Sequence, residues 1–364
     1  MKTIKTLFIN LQAFALTPNG VNATVASGSM GALNSSGAYN APNTDLSAEM
    51  KTYYDMNLID EASANLVHDQ FGQKRPIPAN GGKTIEFRKF APLTKALTPI
   101  SEGVTPDGKS LTVTTINATV NQYGDYITQS DVLELTSLDN TILEATKLLG
   151  RQAGATLDTV VRNVLQSGLN VTYCPKFVDG EEVEVKSRAE LDKTSQLTVD
   201  VVQQVVAKLR TQNAPTIDGK YVAIIHPYVA YDLMRDPEWI DAHKYANPTN
   251  LYNGEIGEVA GVRFVQTTEA KIYKSPDKDC PEGLAVFSTI FLGEGAYGVT
   301  EITGGGLQTI VKQKGSAGTA DPLDQRSSVG WKAIRTAEIL IPNYLVRVES
   351  CSKRFSANPT LKSN

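Results

Sequence analysis

The stretch Ser130–Gly168 limits what this chain can fold into more than any other. It reads SDVLELTSLDNTILEATKLLGRQAGATLDTVVRNVLQSG. Asp131 with Glu134, and Thr141 with Glu144, have the spacing of helix-capping pairs, so a short helix followed by a long one is expected. Ile142, Leu149, Ala153, Leu157, Val160 and Val164 recur at helical spacing and form one apolar stripe. Lys147, Arg151, Asp158 and Arg162 fall off that stripe, which predicts a helix packed on one side only. Gly168 stands where a left-handed residue commonly ends a helix. At 1.5 Å per residue the segment runs about 40 Å. Gly150 and Gly154 each cost a helix about 1 kcal/mol relative to alanine. The simplest reason for them is another backbone crossing closely, because Lys147, Arg151 and Gln152 exclude a membrane helix contact.

The flanks of this helix differ in character. Residues 17–45 are rich in Asn, Gly, Ser, Ala and Thr with almost no charge, a composition that orders only on a partner. Asp45–Gln70 turns helical, and His68 near its end is expected to be solvated or at a core edge. Lys83–Phe90 alternates Ile85 and Phe87 against Glu86 and Arg88, the period of a half-buried strand. After a stretch punctuated by Pro92, Pro99, Pro106 and Asp107-Gly108, Ser110–Thr128 reads as a second strand. The two make a long hairpin, and an isolated hairpin is barely stable in water. Downstream, Val171–Lys186 suggests a hairpin turning at Asp179-Gly180, with Glu181, Glu182 and Glu184 on a solvated turn. Thr198 caps a helix through Asn213 that buries Val199, Val202, Val206 and Leu209. Tyr221–Ile225 reads as a buried strand, His226-Pro227 opens a helix, and Pro237–Tyr245 is a further helix carrying Trp239. Gly261–Thr267, Leu284–Leu292, Leu307–Val311, Val329–Leu340 and Tyr344–Glu349 read as strands. The interleaving predicts an α+β domain after the long helix.

Composition narrows the function. The 364 residues carry 35 basic and 39 acidic side chains, a net charge of −4, which argues against tight sequence-independent nucleic-acid binding. Cys174, Cys280 and Cys351 lie far apart, suiting reduced thiols better than a disulfide framework or a zinc site. Met1–Leu16 has the outline of a secretory signal, with basic residues ahead of an apolar middle and Ala13-Phe14-Ala15, but Asn10 and Gln12 interrupt it. Asn80-Gly81-Gly82-Lys83-Thr84 ends like a phosphate loop. It lacks the earlier glycine, where Ile77 stands, and leads into a strand rather than a helix. Gly304-Gly305-Gly306 fits no dinucleotide register, Gly315-Ser316-Ala317-Gly318 falls short of a nucleophile elbow, and His68, His226 and His243 have no metal-ligand spacing. The expectation is no catalytic residue, no cofactor and no metal.

The most specific residues are His226-Pro227-Tyr228 with Leu233, Asp236, Trp239 and Tyr245, then Gly254–Val265 (GEIGEVAGVRFV), and finally Asp321-Pro322-Leu323 and Gly330-Trp331-Lys332. With the order of arm, hairpin, long helix and α+β domain, they resemble the major capsid protein of tailed bacteriophages, the Hong Kong ninety-seven fold, and within it the N-four-type family. The resemblance covers most of residues 45–350. It implies an N-terminal arm (1–45), a helical peripheral segment (46–80), an extended hairpin loop (81–128), a spine helix with peripheral domain (129–198), an axial domain (199–328), and closing strands with a tail (329–364). It further implies a structural, non-enzymatic subunit of an icosahedral virion shell, assembled in the host cytoplasm as hexamers and pentamers around double-stranded DNA. Its expected partners are other copies of itself, portal and scaffold or decoration proteins, and packaged DNA held weakly, with no membrane. Ile85, Phe87, Arg88, Phe90 and Lys109 on the hairpin are the expected subunit interface, and Ile85, Phe87 and Phe90 are expected to bury area only on assembly. An encapsulin-like nanocompartment shell and a secreted or surface protein are the alternatives.

Overall fold

The computed structural model describes residues 56, 58–62, 66–78, 80–90, 93–97, 99, 102–103, 108–137, 141–246, 257–316 and 321–364. The arm, the signal-like segment, Gly254–Ile256 of the capsid-like motif, most of the loop at 315–319 and part of the hairpin tip lie outside the described residues.

After helical residues at 58–62, the chain forms strands β1 (Gln73–Lys74), β2 (Thr84–Phe90), β3 (Val113–Thr119) and β4 (Asn121–Ser130). Helices α1 (Asp131–Thr136) and α2 (Thr141–Gln166) follow, then β5 (Val171–Tyr173), β6 (Lys176–Val178) and β7 (Glu181–Val183). The next are α3 (Val199–Thr211), β8 (Tyr221–Ile225), α4 (Pro227–Leu233), α5 (Pro237–Ala246), β9 (Glu258–Val259) and β10 (Val262–Gln266). The chain closes with β11 (Ile272–Tyr273), β12 (Val286–Leu292), β13 (Tyr297–Thr300), β14 (Gln308–Lys312), β15 (Arg326–Ile339) and β16 (Leu345–Cys351).

Several local signals act as the sequence dictates. Thr198 Oγ1 accepts from Val201 N and starts α3, as an N-cap hydroxyl does. His226 Nδ1 accepts from Tyr228 N at 3.1 Å and Pro227 takes the first turn of α4, where its missing N–H loses nothing. Asp179 and Gly180 both hold positive φ, at 54° and 87°, the two-residue turn that joins β6 to β7. One cap differs. The residue ahead of α1 is Ser130, whose hydroxyl accepts from Leu133 N at 3.3 Å, and Asp131 instead accepts from Val132 N at 2.8 Å.

The chain folds as two compact units. The first comprises the described residues up to Glu61, with Gly124–Gly150 and Gln308–Lys332. In it β14 runs antiparallel to β15, from Gln308 opposite Lys332 to Lys312 opposite Ser328. A β-carbon on Gly330 would come within 2.9 Å of Asp125 O, and one on Gly124 within 2.6 Å of Trp331 O. Gly150 meets the expected backbone crossing, because a β-carbon there would lie 2.8 Å from Leu58 O.

The second unit comprises Ala62–Tyr123, Arg151–Leu307 and Ala333–Asn364. Its seven-stranded sheet has the order β5-β16-β12-β8-β10-β9, with β11 on β12. β8 and β12 are buried at every residue, so they read as continuous apolar runs rather than alternating ones. Val202, Val206 and Leu209 of α3, Leu233 of α4 and Trp239 of α5 pack with Ala223, Ile225, Phe264 and Phe287 of the sheet in one core. β13 pairs antiparallel with β15, Thr300 opposite Thr336, and β1 runs parallel to β13.

Four expectations are corrected. The buried line of α2 is Ala145, Leu149, Ala153, Leu157, Val161 and Leu165; Val160 and Val164 are only half-buried. Asp158 and Arg162, expected in solvent, are 0% and 2% exposed. Asp158 accepts the Val67 and His68 N–H groups at 2.8 and 2.7 Å, and its second oxygen lies 2.6 Å from His68 Nδ1. Arg162 donates to Glu269 O at 2.7 Å. His68 is accordingly fully buried. Asp158 and Arg162 are inside because partners from 90 or more residues away satisfy them, and burial without partners would cost several kcal/mol. Gly168 is not among the residues of positive φ. A β-carbon there would stand 3.0 Å from Leu345 Cδ2, so packing space is what the position requires.

Candidate subunit interface

The hairpin is built from two facing periods. β2 and β3 pair from Thr84 opposite Thr119 to Phe90 opposite Val113. Successive side chains point to opposite faces, so Ile85 and Phe87 share one face with their partners Ala118 and Ile116. That face lies on Leu340 and Ile341 of the same unit. Glu86, Arg88 and Phe90 belong to the other face.

The expected interface residues therefore part company. Phe87 is 3% exposed, and its ring atoms stand 2.9 Å from where a β-carbon of Gly298 would lie. It belongs to the core of its own unit, so the expectation that it buries area only on assembly is corrected. Ile85 is half-buried against the same cluster. Phe90 is 59% exposed and its partner Val113 44%. Arg88 is exposed and lies 3.6 Å from Glu86 on its own strand. Lys109, beyond the paired strands, donates to Thr94 O and Thr94 Oγ1 at 2.8 and 2.7 Å.

Sequence reading missed the apolar residues near the tip: Leu93, Leu97 and Leu111 are all strongly exposed. The signal that separates Phe90 from Phe87 was present as parity, an odd residue against an even one in a strand of period two. The expected second strand also divides. β3 ends at Thr119, Val120 is buried and donates to Lys83 O at 3.0 Å, and β4 leaves the hairpin to pair with β15.

The groups that look most like chemistry are structural. Glu349, fully buried, receives Arg188 in a two-pronged contact at 2.6 Å for each nitrogen, with Arg347 Nε at 3.2 Å. Arg188 also lies over the Tyr273 ring, 3.6 Å from its centre. Tyr297 donates to His68 O, and Arg335 pairs with Asp69. Burial pushes the Cys351 thiol up to about 12 and the Cys174 thiol higher still, so neither is a nucleophile near neutral pH. Burial also pushes His226 down to about 4. Among the described residues no cluster of His, Cys, Asp and Glu could hold a metal ion, and no helix is long and apolar enough to cross a membrane.

This architecture is shared with the shells of tailed phages. The capsid of Ralstonia phage GP4 superposes with a TM-score of 0.62 at 13% identity, covering 81% of this chain and 90% of that one. The capsid of cyanophage P-SCSP1u gives 0.60 at 13% identity over 79% and 88%. The head of Helicobacter pylori bacteriophage KHP40 gives 0.58 at 12% over 76% and 88%. The fold is thus a mixed α+β capsid fold of the Hong Kong ninety-seven kind. No curated protein matches the sequence. Residues 135–315, from α1 to just past β14, match the model of a family described as phage capsid protein. That match, together with the shared fold, supports a structural, non-enzymatic subunit of an icosahedral capsid.

Proposed function

We propose that the chain assembles into hexamers and pentamers that close around double-stranded DNA, with the hairpin lying on a neighbouring copy. The observation that carries this reading is the exposed apolar line of Phe90, Leu93, Leu97, Leu111 and Val113 on and beyond a ribbon of only two strands. A soluble chain leaves such a line uncovered only where a partner removes it from water. Ile85, Arg88, Phe90 and Lys109 remain the interface residues of this proposal. The net charge of −4 suits a container that does not grip its contents. Portal and scaffold or decoration proteins complete the set of partners, and assembly takes place in the host cytoplasm. The His226-Pro227-Tyr228 element and the Gly254–Val265 segment favour the N-four-type subfamily.

The test is negative-stain microscopy of the purified protein, alone and with scaffold and portal proteins from the same genome. Closed shells with five-fold and six-fold rings are expected. A strictly monomeric species under all these conditions would refute the reading.

A further inference from the structure

Two features of the second unit are unaccounted for by its own packing. The first is a concavity of about 330 Å³ beside the hairpin, whose lining takes residues from both faces of β2 and includes Ile116, Ile341 and Phe90 with the cations Arg75, Arg88 and Lys89. The second is the ribbon β6–β7, which pairs with no further strand among the described residues. It keeps Phe177, Val178 and Val183 exposed at 44%, 46% and 38%. Its turn and second strand carry Asp179, Glu181 and Glu182, and Glu184 follows directly, all exposed.

A ribbon of two strands is marginal by itself, and nothing in the fold requires apolar side chains on its outside. Because those side chains stay exposed, the ribbon does not fill the concavity of its own chain. The two surfaces match in kind: apolar side chains to apolar side chains, and a cationic lining to an acidic ribbon. Complementary charge of this sort steers copies together and rejects wrong registers. We infer that the β6–β7 ribbon of one copy docks in the cation-lined concavity beside the hairpin of a second copy. Such a contact joins two different patches, so it is heterologous and propagates into closed rings when the rotation closes. It rests on the shell-forming reading above and adds to it a contact within each ring.

The experiment reverses charge on each side and then on both. Arg75→Glu with Arg88→Glu should lower the fraction sedimenting as rings or shells about tenfold through like-charge repulsion. Glu181→Lys with Glu182→Lys should do the same, and the chain carrying all four changes should recover most of it. The four side chains are exposed, so unfolding midpoints should not move; a variant whose midpoint falls is replaced by Arg88→Gln or Glu182→Gln at the same site. If the unaltered protein forms shells and either reversal pair leaves them unchanged, the contact is refuted while the shell reading stands. Failure of the fourfold variant to recover likewise refutes the contact. If the unaltered protein never forms rings or shells, the shell reading falls and this contact with it.

Discussion

Replacing Phe87 by alanine tests where the hairpin's stability comes from. The side chain is 3% exposed and packs against Ala118 and Leu340, with Ile116 alongside. Gly298 lies directly under the ring. Two of these neighbours are alanine and glycine, which have no side-chain reach to fill a void, so the site relaxes little. Buried Phe→Ala changes cost about 3–5 kcal/mol, more where the cavity cannot collapse. The unit holding Phe87 has about 250 residues, and at that size each kcal/mol moves the unfolding midpoint by roughly 2–4 °C. The expected loss is therefore roughly 6–20 °C. It is read by thermal unfolding of unassembled subunits, at a concentration where sedimentation shows no rings. Phe90→Ala, on the opposite and exposed face, is the comparison and should change subunit stability by less than about 0.5 kcal/mol. A Phe87→Ala midpoint within about 2 °C of the unaltered protein would refute the reasoning and return Phe87 to the interface.

Other perturbations follow from the same geometry. Glu349→Ala leaves Arg188 and Arg347 facing an emptied buried site and should destabilise the subunit by about 3–5 kcal/mol in denaturant titration; a loss under about 1 kcal/mol would show that water replaces the carboxylate. His226 is held at about 4 in the fold against an ordinary 6.5. The unfolded chain therefore binds the proton first, and stability is intact above about pH 6.5 and declines as the pH falls towards about 4, by on the order of 3 kcal/mol at most. His226→Asn keeps an acceptor for Tyr228 N and should flatten that slope; an unchanged slope would assign it to other groups. Gly150→Ala gains about 1 kcal/mol of helix propensity but drives a methyl to 2.8 Å from Leu58 O. A net loss of about 1–3 kcal/mol is expected, and a more stable variant would mean that the crossing backbone can move aside.

The sequence by itself determined what is encoded within a few residues. The span of α2, the Thr198 and His226-Pro227 starts, the Asp179-Gly180 turn and the buried runs of β8 and β12 all follow from caps, φ preferences and periodicity, whose interactions are short in sequence. The glycine at 150 was also readable, because a helix keeps a costly residue only where space demands it. Tertiary structure decided which polar groups are inside. Asp158 and Arg162 have the sequence signature of a solvated face, and only the arrival of His68 and Glu269 makes their burial tolerable. Phe87 went the same way: alternation located its face, but Leu340, more than 250 residues later, settled that this face is covered within the chain. Parity set Phe90 apart from it, and the three-dimensional packing showed that its side is left open. Local codes fix an element and its faces. What covers a face depends on chain distant in sequence.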